Sequence, residues 1–196
     1  MVPGIRPEQA GAGQTGGVEF DAVVLAGGGS TRFGGVDKAL LVLDGVALLD
    51  RVLAATTGAA STVVVGPERG VGRPVDWTTE DPPSGGPVAG IAAGLAVGLA
   101  PTVVLLSCDL PWITADEVKL LVDGVGEHDG FGLLDTSGRE QWLAAAYRRT
   151  ALVEALKRIG DPRNKSVRRL FLGLDLAWSA PTRAADDVDS WADLDD

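Results

Sequence analysis

The feature that most constrains this chain is a glycine-rich segment set directly behind a short apolar run. Ala22–Ala26 is five apolar residues, the pattern of a buried strand, and Gly27, Gly28 and Gly29 follow at once, with Gly34 and Gly35 beyond them. Glycines in that position let the backbone approach an anion closely and aim several N–H groups at it. Two well-known phosphate loops fail when spelled out. A P-loop starting at Gly29 places Gly34 correctly but needs Lys where Gly35 stands, and a dinucleotide turn starting at Gly27 needs Gly where Arg32 stands. What is left is a glycine turn carrying two cations, Arg32 and Lys38, six residues apart. Arg offers a planar fork for phosphate and Lys a mobile point charge. The competing reading is a surface loop whose charges are merely solvated.

Composition narrows the chemistry. The 196 residues carry 27 Asp+Glu against 17 Lys+Arg, a net charge of -10, which leaves no uniformly basic footprint for nucleic acid. A single cysteine, Cys108, cannot form an internal disulfide, and a single histidine, His128, removes His-rich zinc sites and makes a Ser–His–Asp triad a poor expectation. Chemistry must run on carboxylates, Lys/Arg and backbone amides, with or without a hard metal ion. Gly86–Cys108 is 23 residues without a formal charge, enough to span a bilayer. Pro101 interrupts it, however, and Thr102–Leu106 is a β-branched burst, so a buried helix over 87–99 followed by a buried strand accounts for it. No membrane segment is expected.

Elsewhere short apolar runs alternate with helical periodicity. The pattern predicts strands at 22–26, 62–65, 103–106, 131–134 and 142–147. It predicts helices over 46–57, from Thr114 (with Glu117 as capping partner), over 151–159 and over 166–172. Runs without strict alternation indicate strands covered on both faces. The expected class is therefore α/β, a three-layer α/β/α Rossmann-like fold with a mostly parallel sheet. Met1–Gly17 reads as a disordered tail and residues 18–196 as one domain.

Leu25–Leu41 (LAGGGSTRFGGVDKALL) resembles the signature of the molybdenum cofactor guanylyltransferases and their nucleotidyltransferase relatives. The resemblance extends in order. Glu80-Asp81 with Gly86-Pro87-Val88-Ala89-Gly90 is similar to that family's acidic pair and GPLAG stretch. Ser107-Cys108-Asp109-Leu110-Pro111 resembles its metal-binding segment. Arg139–Leu143 with Tyr147 resembles its acceptor-side strand, and Asp187-Val188-Asp189-Ser190 its late motif.

The resemblance implies transfer of GMP from GTP to the phosphate of molybdopterin, with release of pyrophosphate, in the cytoplasm. It implies that Leu25, Ala26, Gly27 and Gly28 cradle the nucleoside and that Arg32 and Lys38 hold the triphosphate, consistent with a reaction run on positioning and electrostatics. Asp109 is the expected Mg2+ ligand. An uncompensated carboxylate about 4 Å from a phosphate charge would cost about 4 kcal/mol at an effective dielectric of 20. The alternative for Asp109 is a strand-end cap. Asp189 is a candidate second metal or acceptor contact, or part of a solvated acidic surface. Asp81 either reads guanine or ribose or turns the chain before Pro82-Pro83. Lys165 and Arg168, with Arg169, are candidates for the acceptor phosphate or an ordinary solvated face. Trp142 replaces a proline usual in the family, Ser190-Trp191-Ala192 replaces Thr-Pro-Glu, and Asp187 and Asp189 stand where some members carry Asn. A CTP-using molybdopterin cytidylyltransferase or another nucleotidyltransferase, and a non-catalytic nucleotide-binding module, are the alternative functions. A cofactor-delivery protein is a further expected partner.

Overall fold

Residues 18–27 and 36–188 are described by a computed structural model of the chain. The expected tail Met1–Gly17 and the candidates Gly28, Arg32 and Asp189 lie outside the described residues.

The chain opens with β1 (Phe20–Leu25), a 3-10 turn (Lys38–Leu40), β2 (Val42–Leu43), β3 (Val46–Ala47) and α1 (Leu48–Ala55). It continues through β4 (Ser61–Val65), β5 (Asp76–Thr78), α2 (Pro87–Leu95), β6 (Thr102–Ser107) and α3 (Ala115–Gly124). The remainder is β7 (Gly130–Leu134), β8 (Glu140–Arg148), α4 (Arg149–Ile159), α5 (Val167–Phe171), β9 (Leu176–Pro181) and a 3-10 turn at Arg183–Ala185.

Seven strands form one sheet in the order β5-β4-β1-β6-β8-β7-β9. Only the pairings of β8 with β6 and β7 are antiparallel within it. Successive residues of one strand enter different cores. Val24, Val104, Leu106 and Ala146 pack with α1 and α3, while Val23, Val103, Leu105 and Tyr147 pack with α2, α4 and α5. Side chains alternate across a strand, so burial of both faces requires apolar residues in succession. The expected three layers and mostly parallel sheet are thus present. Helix α2 lies close over β1 because Gly94 has no side chain; a Cβ there would sit 2.4 Å from Val23 Cγ1.

Several boundaries differ from expectation. The helix expected from residue 46 begins at Leu48, because Val46 and Ala47 pair with Leu43 and Val42 across a two-residue turn. Asp44 and Gly45 both have positive φ, 51° and 80°, which is what a type I′ hairpin requires. Helix α2 stops at Leu95 rather than 99. Strands β5 and β9 carried no expectation. Both lie at sheet edges, where one flank lacks a partner strand and a continuous apolar run is not needed. The capping box of Thr114 with Glu117 forms at the start of α3, as the sequence predicts. Among the described residues, no helix is long and apolar enough to cross a membrane.

Candidate active site

From β1 the chain runs outward through β4 and β5 on one side, then returns through α2 to add β6 on the other. The carboxyl ends of β1 and β6 therefore flank the point where the strand order reverses, the place where open α/β sheets bind ligands. Backbone bonds tie these ends together. Cys108 N donates to Leu25 O at 3.0 Å, Ala26 N to Val65 O at 2.8 Å, and Val188 N to Asp109 O at 3.0 Å. The close approach of β4 to β1 depends on Gly66, φ 147°, where a Cβ would lie 2.8 Å from the carbonyl carbon of Ala26.

Across this crevice Lys38 Nζ donates to Asp109 Oδ2 at 2.6 Å. The two side chains are 17% and 14% exposed, so the pair is largely shielded but still reachable. Lys38 is presented by a short 3-10 turn capped by Asp37, whose Oδ1 accepts from Ala39 N at 3.2 Å. Behind the turn, Leu41, Leu48 and Val188 form a small apolar cluster that packs the Lys38 segment against the strand of chain beside Asp109.

The other oxygen of Asp109 is unusual. Among the described residues, Asp109 Oδ1 is buried and accepts no hydrogen bond. Buried acceptors are nearly always paired, and an orphan calls for a ligand. A hard cation that keeps several waters and takes one or two carboxylates plus phosphate oxygens fits that atom. No group of three or more His, Cys, Asp or Glu side chains among the described residues could hold a metal by itself. The donor set suits an ion held jointly with substrate.

Cys108 is wedged between these charges. Burial, reinforced by the negative charge of Asp109, pushes its thiol up to about 12, while Arg69 and Lys38 pull the other way. Cys108 is therefore a small buried residue of the crevice wall and not a thiolate.

Two residues that the sequence did not single out complete the crevice. Arg69, on the loop after β4, donates through Nε to Asp37 Oδ2 at 2.6 Å and through Nη2 to Asp37 Oδ1 at 3.1 Å. The same Nη2 donates to Ala26 O at 3.0 Å, and Nη1 donates to Pro67 O at 2.9 Å. Its side chain is 9% exposed. Asp37 was legible as a helix-capping residue type ahead of Lys38. Arg69 carried no local signal, because its partners Asp37 and Ala26 are 32 and 43 positions away.

The remaining candidates are divided between the crevice and its surroundings. Leu25 and Ala26 are buried and Gly27 is exposed at the end of β1. Asp81 is exposed on the loop between β5 and α2. Lys165, half-buried, and Arg168, exposed, belong to the segment leading into and through α5. These two regions adjoin one another, since Asn164 N donates to Gly85 O at 2.7 Å. On the other side, a cleft of about 400 Å3 is lined by Trp112, Asp135, Thr136, Ser137, Arg183, Asp186 and Asp187. Arg183 stacks over the Trp112 ring at 4.3 Å, and the residue after Asp187 is the Val188 that binds Asp109 O.

Comparison with known proteins places this geometry. A probable molybdenum cofactor guanylyltransferase of Synechococcus elongatus is 40% identical over 102 residues, 48% of this chain and 52% of that protein. The chain thus spans about half the length of the first curated relatives it matches. Among solved structures, molybdopterin-guanine dinucleotide biosynthesis protein A from Archaeoglobus fulgidus superposes with a TM-score of 0.69 at 20% identity, covering 89% of this chain and 95% of that one. The 2-C-methyl-D-erythritol 4-phosphate cytidylyltransferase from Thermus thermophilus superposes with a TM-score of 0.67 at 18% identity, covering 88% and 94%. Both likenesses establish the fold. The residues matched by the family description, 22–177, include the carboxyl ends of both strands flanking the crevice, Lys38, Arg69 and Asp109, and the chain accordingly belongs to the MobA-like NTP transferase domain family.

Proposed function

We propose that this protein is a cytoplasmic nucleotidyltransferase that moves GMP from GTP onto the phosphate of molybdopterin. The observation that carries the reading is the Lys38–Asp109 pair at the sheet's reversal point, with Asp109 Oδ1 buried and unpaired among the described residues. A phosphate oxygen of the acceptor attacks the α-phosphorus of the nucleotide. The bond from that phosphorus to the bridging oxygen breaks, and pyrophosphate leaves with the electron pair. The nucleophile is already an anion, so no general base is needed, which suits a chain with one histidine. Lys38 and Arg32 hold the triphosphate and stabilise the charge that gathers on the leaving group. Leu25, Ala26, Gly27 and Gly28 line the nucleoside, with Asp81 as a contact to base or ribose.

Asp109 would hold Mg2+, with Asp189 as a second contact. Bound there, the ion would neutralise phosphate charge and allow a carboxylate to stand beside a triphosphate. The acceptor has two candidate surfaces, the basic one at Lys165 and Arg168 and the cleft under Trp112 and Arg183.

The test is calorimetric titration with GTP, CTP, UTP and ATP, with and without Mg2+, followed by a pyrophosphate-release assay with molybdopterin. Preference for GTP and metal-dependent release support the proposal. Preference for CTP moves the activity to cytidylyl transfer, and binding without release in the presence of acceptor makes the protein a nucleotide-binding module.

A further inference from the structure

Arg69 does more than brace a loop. The glycine-rich segment leaves β1 at Ala26 and is followed by the Lys38 turn at Asp37, and both of these points are bound to one guanidinium nitrogen, Nη2. Without the cation, the Ala26 carbonyl and the Asp37 carboxylate would present lone pairs toward the same space. The relative placement of these two chain segments therefore depends on Arg69. Asp37 in turn caps the turn from which Lys38 reaches Asp109, so the guanidinium is one residue removed from the ammonium in the crevice. The arrangement alternates in sign, with Arg69 on Asp37 and Lys38 on Asp109. Arg69 also cancels a carboxylate that would otherwise stand unneutralised beside a site for a triphosphate.

We propose that Arg69 is a positioning residue for nucleotide binding: by clamping Ala26 and Asp37 together it sets the distance between the β1 backbone end and the Lys38 ammonium. This rests on the reading of the crevice as the nucleotide site. Arg69 touches no substrate in this scheme and acts through Asp37 and Lys38. Lysine cannot replace it, because one ammonium cannot make a bidentate fork to a carboxylate while also serving two carbonyls.

A control lies on the same loop. Arg73 Nη1 donates to Leu53 O at 2.8 Å and to Thr56 Oγ1 at 3.2 Å, and Nη2 donates to Thr62 Oγ1 at 3.3 Å, which ties down the carboxyl end of α1; none of these partners is a crevice residue. The experiment titrates the full chain with Mg2+·GTP, comparing wild type with Arg69→Ala, Arg69→Lys, Arg73→Ala, Lys38→Ala and the Lys38→Ala/Arg69→Ala double variant. Arg69→Ala and Arg69→Lys are expected to weaken binding about tenfold or more, the size of a lost charge-assisted hydrogen bond. Arg73→Ala should bind within about twofold of wild type whatever its thermal midpoint, since it is removed from the site. The loss from Arg69→Ala should shrink once Lys38 is absent, a coupling that a purely structural role would not produce. Wild-type affinity in Arg69→Lys, or losses that simply add in the double variant, would overturn the inference while leaving the nucleotide site standing. Failure of the wild type to bind any of the four triphosphates would overturn the site and this inference with it. Arg69→Lys keeps the charge, so it serves where Arg69→Ala does not fold.

Discussion

Lys38 and Asp109 are 71 positions apart in sequence and 2.6 Å apart in space, and the distance is closed by the pairing of β1 with β6. A cation and an anion so placed, at the reversal point of a parallel sheet, can face a polyphosphate from two sides. Lys38→Ala and Asp109→Ala are each expected to lower the rate of nucleotidyl transfer about 100- to 1,000-fold, the scale of a lost preorganised charge contact. The pair is largely shielded, 17% and 14% exposed, so Lys38→Ala, which takes this partner from the Asp109 carboxylate, should also lower the thermal midpoint, and rates are compared on protein shown to be folded. Pyrophosphate release near the wild-type rate in either folded variant would falsify the catalytic assignment.

The opposite end of β1 carries a different ion pair. Arg149 Nη2 donates to Asp21 Oδ2 at 2.5 Å, with the Asp21 side chain only 3% exposed. Asp21 also accepts from Ser61 Oγ at 2.6 Å and from Ala100 N at 2.8 Å. Removing one partner leaves a buried charge uncompensated, so Arg149→Ala should cost about 3–5 kcal/mol in denaturant unfolding. Nucleotide affinity measured on the folded fraction should not change, because the crevice lies at the other end of the strand.

The hairpin between β7 and β8 supplies a pH dependence. Burial of Asp135 pushes its carboxyl up, but hydrogen bonds from Ser137 Oγ, Arg139 N, Gln141 and Ser137 N outweigh it and hold the group at about 2, against an ordinary 3.8. The folded value lies below the unfolded one, so the ionised group stabilises the fold above about pH 4, and the stabilisation disappears as pH falls through 2. Asp135→Asn should therefore be less stable than wild type by about 2 kcal/mol at pH 7. Denaturant titrations of both proteins at descending pH should show the gap closing toward pH 2.

Cys108 gives a chemical test of the crevice wall. With its thiol at about 12, through burial first and Asp109 second, it is protonated at neutral pH. At pH 8 only about one thiol in ten thousand is thiolate, and the thiolate is the reactive form. A thiol-specific disulfide reagent should label the folded protein far more slowly than the denatured chain. Rapid labelling under native conditions would mean that the wall beside Asp109 opens.

Much of the fold was legible because its determinants are local. Val23-Val24 and Val103–Leu106 are short β-branched and apolar runs, the pattern that a strand buried on both faces requires. Thr114 and Glu117 close a cap three residues apart. The Asp44-Gly45 turn was legible in principle as a hairpin signal, but strands of two residues are too short to show a period. The edges β5 and β9 escaped for a similar reason, since a strand paired on one side has less apolar surface to hide. Lys38 stood out as a cation behind a glycine turn, and Asp109 through the resemblance of Ser107–Pro111 to a metal-binding segment.

The sequence by itself determined which segments become the helices and the inner strands β4, β1, β6, β8 and β7, that the sheet is covered on both faces, and which charged residues stand at strand ends. Whether those charges meet was decided only by the tertiary structure, because contact between Lys38 and Asp109 depends on β6 returning to pair with β1 after the excursion through β4 and β5. The role of Arg69 belongs wholly to that second level. Its carboxylate and carbonyl partners come from two other segments, and no window of neighbouring residues contains the geometry that joins them.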